Sequence, residues 1–182
     1  MNIIETPIEG LVIIEPKIWK DDRGYFFESY NQETFKKQGI ALDFVQDNQS
    51  YSHKNALRGL HAQAPPYSQG KLVRVIQGKV LDVAVDIRKG SATYGQHFKI
   101  ELSVENNKMF YVPPGFLHGF VTLENNTIFS YKCTNLYQKE AEVGVIWNDK
   151  DLGIDWGINL AEVLVSPKDA TLPNFAAIES PF

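Results

Sequence analysis

Along this chain, short segments rich in Val, Ile, Phe and Tyr are punctuated by Gly, Asn and Pro, and helical periodicity is scarce. The pattern predicts a mostly β protein. Its clearest strand covers residues 80–87, where Leu81, Val83, Val85 and Ile87 alternate with Val80, Asp82, Ala84 and Asp86; the first set is expected to form the core face and the second a mixed face. Gln77-Gly78-Lys79 has the composition of a hairpin turn from a strand at 71–76, and Glu124-Asn125-Asn126 that of a similar turn between 119–123 and 127–133. Further strands are expected at 11–15, 25–30, 44–50, 97–103 and 109–112. One helix is expected after Asn31, an N-cap with Thr34 at the third helical position, running through Phe35 to Gln38 and stopped by Gly39. From Leu160 onward, Pro167, Pro173 and Pro181 among apolar residues predict short helical turns packed on a barrel. No internal repeat, low-complexity tract or long linker divides the chain, so residues 1–182 read as one domain, a sandwich or a jelly-roll barrel.

Composition narrows the function classes. A chain of 182 residues can bury a core without disulfides or a structural metal. A single cysteine, Cys133, excludes an internal disulfide framework and suits a reducing cytoplasm. The first ten residues have neither a basic n-region nor an apolar h-region, so no secretory signal is expected, and no run of 18 apolar residues marks a membrane span. With 18 basic and 22 acidic residues the net charge is −4, which argues against a general nucleic-acid surface. Any phosphate must be gripped locally.

The run Arg58-Gly59-Leu60-His61-Ala62-Gln63, followed by Gly70-Lys71-Leu72-Val73-Arg74, carries the candidate chemistry. A lone histidine between leucine and alanine is ordinarily a satisfied core or edge residue. Here Arg58, Lys71 and Arg74 lie in strands with apolar neighbours, and buried cations need partners or ligands to offset desolvation, so the set predicts a polar cavity on the inner face of the barrel. Pro113-Pro114-Gly115-Phe116-Leu117-His118 has the P-x-G-x-x-H shape of the second cupin motif. Metal-holding cupins usually add an H-x-H and a nearby glutamate; the corresponding triplet is His61-Ala62-Gln63, with Ser68, Gln69 and Lys71 next and no glutamate. A metal-free, cofactor-free cupin is the expectation.

Eight ordered segments extend the pattern over nearly the whole chain: Asp22-Arg23-Gly24-Tyr25-Phe26-Phe27-Glu28, Phe44-Val45-Gln46-Asp47-Asn48, Leu57 to His61, Gly70 to Arg74, Asp82 to Lys89, Gly115 to Phe120, Tyr131-Lys132-Cys133-Thr134 and Trp147-Asn148-Asp149. Together they closely resemble the dTDP-4-dehydrorhamnose 3,5-epimerase family. The resemblance implies a homodimeric cupin-type jelly-roll barrel with N-terminal strands exchanged between subunits. It also implies dTDP-4-keto-6-deoxy-D-glucose as substrate, inverted at C3 and C5 to dTDP-4-keto-L-rhamnose for cell-surface polysaccharide. His61 matches the family's base, Tyr131 its acid, Lys71 the cation beside the C4 oxygen and Asp169 the carboxylate behind the histidine. Arg23, Arg58 and Lys168 match positions meeting the pyrophosphate; Phe26, Glu28, Gln46, Asn48 and Tyr137 match positions near the thymidine or sugar, and His118 one facing the sugar. His53 and His97 read as non-catalytic, and Arg74 has no assigned place.

These roles are chemically coherent. A proton α to a ketone leaves only if the enolate is stabilised, which a fixed ammonium in a water-poor cavity can do. Histidine titrates in the right range for the abstraction, and a phenol can return a proton on the opposite face. Two departures touch the pocket: Ala62 stands where an aromatic is usual, and Leu117 replaces a commonly smaller residue. Three rival readings stay open at this point. They are a relative inverting only C3 or only C5 or acting on another dTDP-4-keto sugar, a non-catalytic sugar-nucleotide-binding cupin, and a metal-dependent cupin oxygenase, which Gln63 disfavours.

Overall fold

A computed structural model describes residues 1–40 and 43–182. Its strands in chain order are β1 (Asn2–Glu5), β2 (Val12–Glu15), β3 (Trp19–Asp21), β4 (Gly24–Phe26), β5 (Gln46–Ser52), β6 (Ala56–Gln63) and β7 (Lys71–Gln77). They continue with β8 (Lys79–Asp86), β9 (His97–Ser103), β10 (Met109–Val112), β11 (Phe116–Thr122), β12 (Thr127–Cys133), β13 (Glu142–Gly144) and β14 (Leu164–Val165). One helix, α1, spans Gln32–Lys37, with the Asn31 side chain accepting from the Thr34 amide at 3.1 Å, as the sequence predicts. Four 3-10 turns follow, three of them in the C-terminal tail at Leu160–Glu162, Asp169–Thr171 and Phe175–Ala177.

The first sheet has the order β1-β2-β10-β7-β12-β5; the second has the order β13-β6-β11-β8-β9, with β14 joining the edge of β6. Apart from β14 the pairings are antiparallel. The turns at Gln77-Gly78-Lys79 and Glu124-Asn125-Asn126 exist, but neither closes a hairpin. Each hands the chain from one sheet to the other, β7 to β8 and β11 to β12, which is the jelly-roll crossing. Gly78 (φ +78°) sits so close to Thr127 that a Cβ would collide with its hydroxyl, so the two corners interlock.

Strand alternation now has two meanings. Val80 and Ala84 point into the space between the sheets, with Val73, Val75, Phe110, Phe120 and Phe129. Val83, Val85 and Ile87 point the other way, beneath Trp147, Trp156 and the C-terminal tail. The face of β8 expected to be the core is therefore the outside of the second sheet, buried because the tail covers it, and the mixed face is the barrel interior. A third cluster, Ile14, Leu72, Met109 and Tyr111 with Phe35 of α1, seals part of the outside of the first sheet. Residues 25–30 do not form one strand: β4 ends at Phe26 and pairs only with β3 in a separate two-stranded ribbon. Strands β1, β3, β13 and β14, two to four residues long, escape prediction, and β6 is expected only as a strand around Arg58 without bounds.

Candidate active site

A regular strand sends residues three apart to opposite faces, yet Arg58 and His61 of β6 both line one cavity. The reason is a bulge. Opposite β11, Phe120 pairs with Arg58 and His118 with His61, so three steps on β6 match two on β11. The extra residue lies beside Gly59, at φ +118°, where a Cβ would stand 2.6 Å from the Gly119 Cα. β13 and β14 occupy the two ends of the outer edge of β6, at His61–Gln63 and Ala56–Leu57. Between them the Gly59 amide donates to Asp169 at 3.3 Å.

Asp169, buried in its 3-10 turn, places Oδ1 2.7 Å from His61 Nε2. A carboxylate only accepts, so Nε2 carries the proton and Nδ1 keeps the lone pair. Burial pushes the Asp169 carboxyl up, but the His61 and Gly59 hydrogen bonds outweigh it and hold it below the ordinary carboxylate range.

From the first sheet, Lys71 at the start of β7 and Tyr131 on β12 line the same cavity, whose volume is about 900 Å³. Burial pushes the Lys71 amine below the usual lysine range, while Cys133, Asp82 and Glu142 hold it up. Among the described residues Lys71 forms no ion pair within 4 Å. It is a cation without a fixed partner, facing a cavity. Burial, followed by Cys133, raises the Tyr131 phenol above its ordinary value, and Arg58 draws it back. It is therefore protonated near neutrality and equipped to act as an acid.

The mouth is polar. Arg58 Nη2 donates to Ser52 Oγ at 3.2 Å. The Tyr137 hydroxyl donates to Glu142 at 3.1 Å, and Lys168 pairs with the same carboxylate. Burial raises Glu142, but Lys168, the charge of His61 and Tyr137 outweigh it and leave the carboxyl low. The arrangement holds a base, an acid and a free ammonium at depth, with cations at the entrance. It fits an anionic ligand whose buried end loses a proton from carbon.

A family model described as dTDP-4-dehydrorhamnose 3,5-epimerase matches residues 5–177. The chain belongs to this family. A dTDP-4-dehydrorhamnose 3,5-epimerase from Salmonella typhimurium is 51% identical over 174 residues, 95% of this chain and 94% of the relative. Among solved structures, a dTDP-6-deoxy-D-glucose-3,5-epimerase from Legionella pneumophila in complex with dTDP-4-keto-L-rhamnose superposes with a TM-score of 0.93 at 48% identity, covering 98% of this chain and 94% of that one. The dTDP-4-dehydrorhamnose 3,5-epimerase of Elizabethkingia anophelis gives 0.92 at 48% identity, with 97% of each chain covered. The mostly β, cupin-type jelly roll expected from the sequence is the fold of these epimerases.

Of the residues expected in an epimerase site, His61, Lys71, Tyr131, Asp169, Arg58, Asn48, His118, Tyr137 and Lys168 line the one cavity. Gln46 stands behind it: its amide donates to Asn48 Oδ1 at 3.1 Å, and its carbonyl accepts from the Tyr137 backbone at 2.9 Å. Arg23, Phe26 and Glu28 are not brought to it. Arg23 and Phe26 lie on the β3–β4 ribbon, where Arg23 grips Asp21 at 2.6 Å, and Glu28 accepts from Asn31 at 3.0 Å. Arg74 corrects the picture of an inner-face cation. It lies on the outside of the first sheet, beside Ser29 and Ser130, with its guanidinium 5.8 Å from the Phe27 ring centroid. Gln63 is turned away as well, donating to the Tyr67 and Leu136 carbonyls and accepting from the Gln138 amide, so it ties loops together.

Three residues escaped sequence reading. Glu142 lies in a strand too short to see, Ser50 shows a buried hydroxyl with no hydrogen-bond partner among the described residues, and Asp82, given no role by the sequence, is bound to His118. Inward alternation from Asn48 was the available signal for Ser50.

Proposed function

We infer that the chain is a cofactor-free dTDP-4-dehydrorhamnose 3,5-epimerase that converts dTDP-4-keto-6-deoxy-D-glucose to dTDP-4-keto-L-rhamnose. The observation that carries the reading is the pair of His61 on β6 and Asp169 of the C-terminal tail, facing a cavity shared with Tyr131 and Lys71 of the first sheet. C3 and C5 both flank the C4 ketone, so one oxyanion site serves both carbons. His61 Nδ1 takes the proton, and Asp169 stabilises the imidazolium that forms. The electrons move onto the C4 oxygen beside Lys71, and Tyr131 returns a proton on the opposite face. At about 4 Å and an effective dielectric near 20, an ammonium–oxyanion contact is worth about 4 kcal/mol. That corresponds to roughly a thousandfold in rate.

Arg58 and Lys168 suit the pyrophosphate, and the half-exposed Tyr137 ring offers a stacking face for the base, with Asn48 and Gln46 on its polar edge. Arg23, Phe26 and Glu28 complete the nucleotide site from a second subunit. In this homodimer the β3–β4 ribbon, with Trp19, Tyr25 and Phe26 exposed at 47%, 52% and 66%, reaches the partner's cavity. The Arg23–Asp21 pair is exposed and therefore readily exchanged for a phosphate. No described helix is long and apolar enough to cross a membrane, and the free, buried Cys133 suits a cytoplasmic enzyme.

The test is incubation with dTDP-4-keto-6-deoxy-D-glucose in heavy water, followed by NMR. Deuterium at both C3 and C5 with formation of the L-rhamno product is expected. Exchange at one carbon restricts the activity to a monoepimerase, and exchange at neither overturns the reading.

A further inference from the structure

The barrel holds a second histidine–aspartate pair that the proposed chemistry leaves unused. His118 on β11 and Asp82 on β8 both point between the sheets; Phe120, the ladder partner of Asp82, lies two residues beyond His118. His118 Nε2 lies 2.9 and 3.0 Å from the two Asp82 oxygens, so the ring donates to a carboxylate that is fully buried. Around the pair the wall is apolar: Val80, Ala84 and Phe120, with the Phe129 ring stacked 6.4 Å from the imidazole. A carboxylate on such a wall is costly unless it has charge to answer. Burial pushes the Asp82 carboxyl up, and the charge and hydrogen bond of His118 and the charge of Lys71, which has no ion pair among the described residues, pull it back toward the ionised form.

We propose that Asp82 is a positioning residue for the ketone-oxygen end of the cavity: it fixes the His118 ring by Nε2–H and supplies the buried negative charge that keeps Lys71 an ammonium. This rests on the epimerase reading. Asp82 itself touches no substrate; it acts through His118, whose Nδ1 makes no hydrogen bond among the described residues and is left for the ligand, and through Lys71. Desolvation pulls the Lys71 amine down and Asp82 is among the charges holding it up, so removing that charge lowers it further. The other groups sharing this environment are His61 and Arg58 on β6, Tyr131 and Cys133 on β12, and Glu142 on β13. None of the cations among them can replace a lost negative charge, burial raises the Cys133 thiol and the Tyr131 phenol and keeps both neutral, and Glu142 is already engaged by Lys168.

The experiment is Asp82→Asn, which keeps shape and removes charge, measured in the full-length enzyme with dTDP-4-keto-6-deoxy-D-glucose across pH, alongside dTDP binding by calorimetry. A fall in kcat of tenfold or more is expected, with dTDP affinity within about twofold of wild type and the alkaline limb of the pH–rate profile moved to lower pH. Wild-type kcat with an unmoved limb overturns the proposal, as does an equal loss of kcat and dTDP affinity, which signals general damage. If the variant does not fold, 15N-histidine NMR of the wild type decides. Protonated Nε2 on His118 supports the pair, and an unprotonated Nε2 overturns it. Wild-type protein that epimerises nothing defeats the epimerase reading instead, so the two failures are distinguishable.

Discussion

Gly59→Ala isolates the bulge on which the site depends. The added methyl would stand 2.6 Å from the Gly119 Cα and 2.7 Å from the His118 carbonyl oxygen, both backbone atoms that cannot swing aside. A non-glycine residue at φ +118° adds backbone strain, of order 1–3 kcal/mol. Overpacking against fixed atoms adds another ~1–3 kcal/mol. The expected loss is about 2–6 kcal/mol; at roughly 2–4 °C per kcal/mol for a chain of this size, Tm falls by about 4–24 °C. Relief by ironing out the bulge costs activity instead, since Arg58 and His61 then face opposite sides and the Gly59 amide no longer holds Asp169. A misplacement of about 1 Å is worth ~100-fold in rate, so kcat/KM falls at least that far in the surviving folded fraction. Thermal unfolding and turnover are the assays. Gly90→Ala is the control, a positive-φ site with nothing within 4 Å of its Cβ, and it carries backbone strain alone. Wild-type Tm and wild-type kcat/KM together in Gly59→Ala would refute the reasoning.

Other substitutions separate the roles. Tyr131→Phe keeps the base, so solvent exchange at carbon persists while inversion falls by ~10²-fold or more; wild-type inversion by NMR would remove the phenol from the mechanism. Asp169→Asn lets an amide donate to His61 Nε2 and favours the wrong tautomer, with kcat down by ~10²–10⁴-fold and dTDP binding retained by calorimetry. The folded Asp169 carboxyl is held below its unfolded value, so its contribution to stability is fully present above the unfolded pKa and is lost as pH falls through the folded one; wild-type Tm therefore drops on acidification and the variant's drops less. Asp86 is fully buried with Arg88, Ser91 and Thr93 on its oxygens, and these bonds outweigh desolvation to hold it low. Asp86→Asn is expected to destabilise by about 3 kcal/mol with kcat unchanged, read by denaturant unfolding.

Periodicity revealed most of the long strands, β6 excepted, because each buries at least one face. β9, β10 and β12 lie where the alternation puts them. It could not say which face of β8 looks inward, because the C-terminal tail buries the outside as thoroughly as the opposite sheet buries the inside. Nor could it separate a hairpin from a crossing: Gln77-Gly78-Lys79 satisfies either, and only the partner strands decide. The chemistry was legible as residue types, His61, Lys71 and Tyr131 in ordered motifs and Asp169 through the family resemblance, and the four line one cavity. The bulge that makes Arg58 and His61 neighbours was not, although its glycine stands between them. Arg74 shows the limit most plainly. Three residues from Lys71 on the regularly paired part of β7, it must face the other side, and it lies outside under Phe27.

The central claim is that one base in one cavity serves both carbons flanking the ketone. The most direct measurement is His61→Asn with dTDP-4-keto-6-deoxy-D-glucose in heavy water, following C3 and C5 by NMR and dTDP affinity by calorimetry. Loss of deuterium uptake at both carbons, with dTDP binding retained, is the predicted result. Exchange persisting at either carbon at the wild-type rate would contradict it.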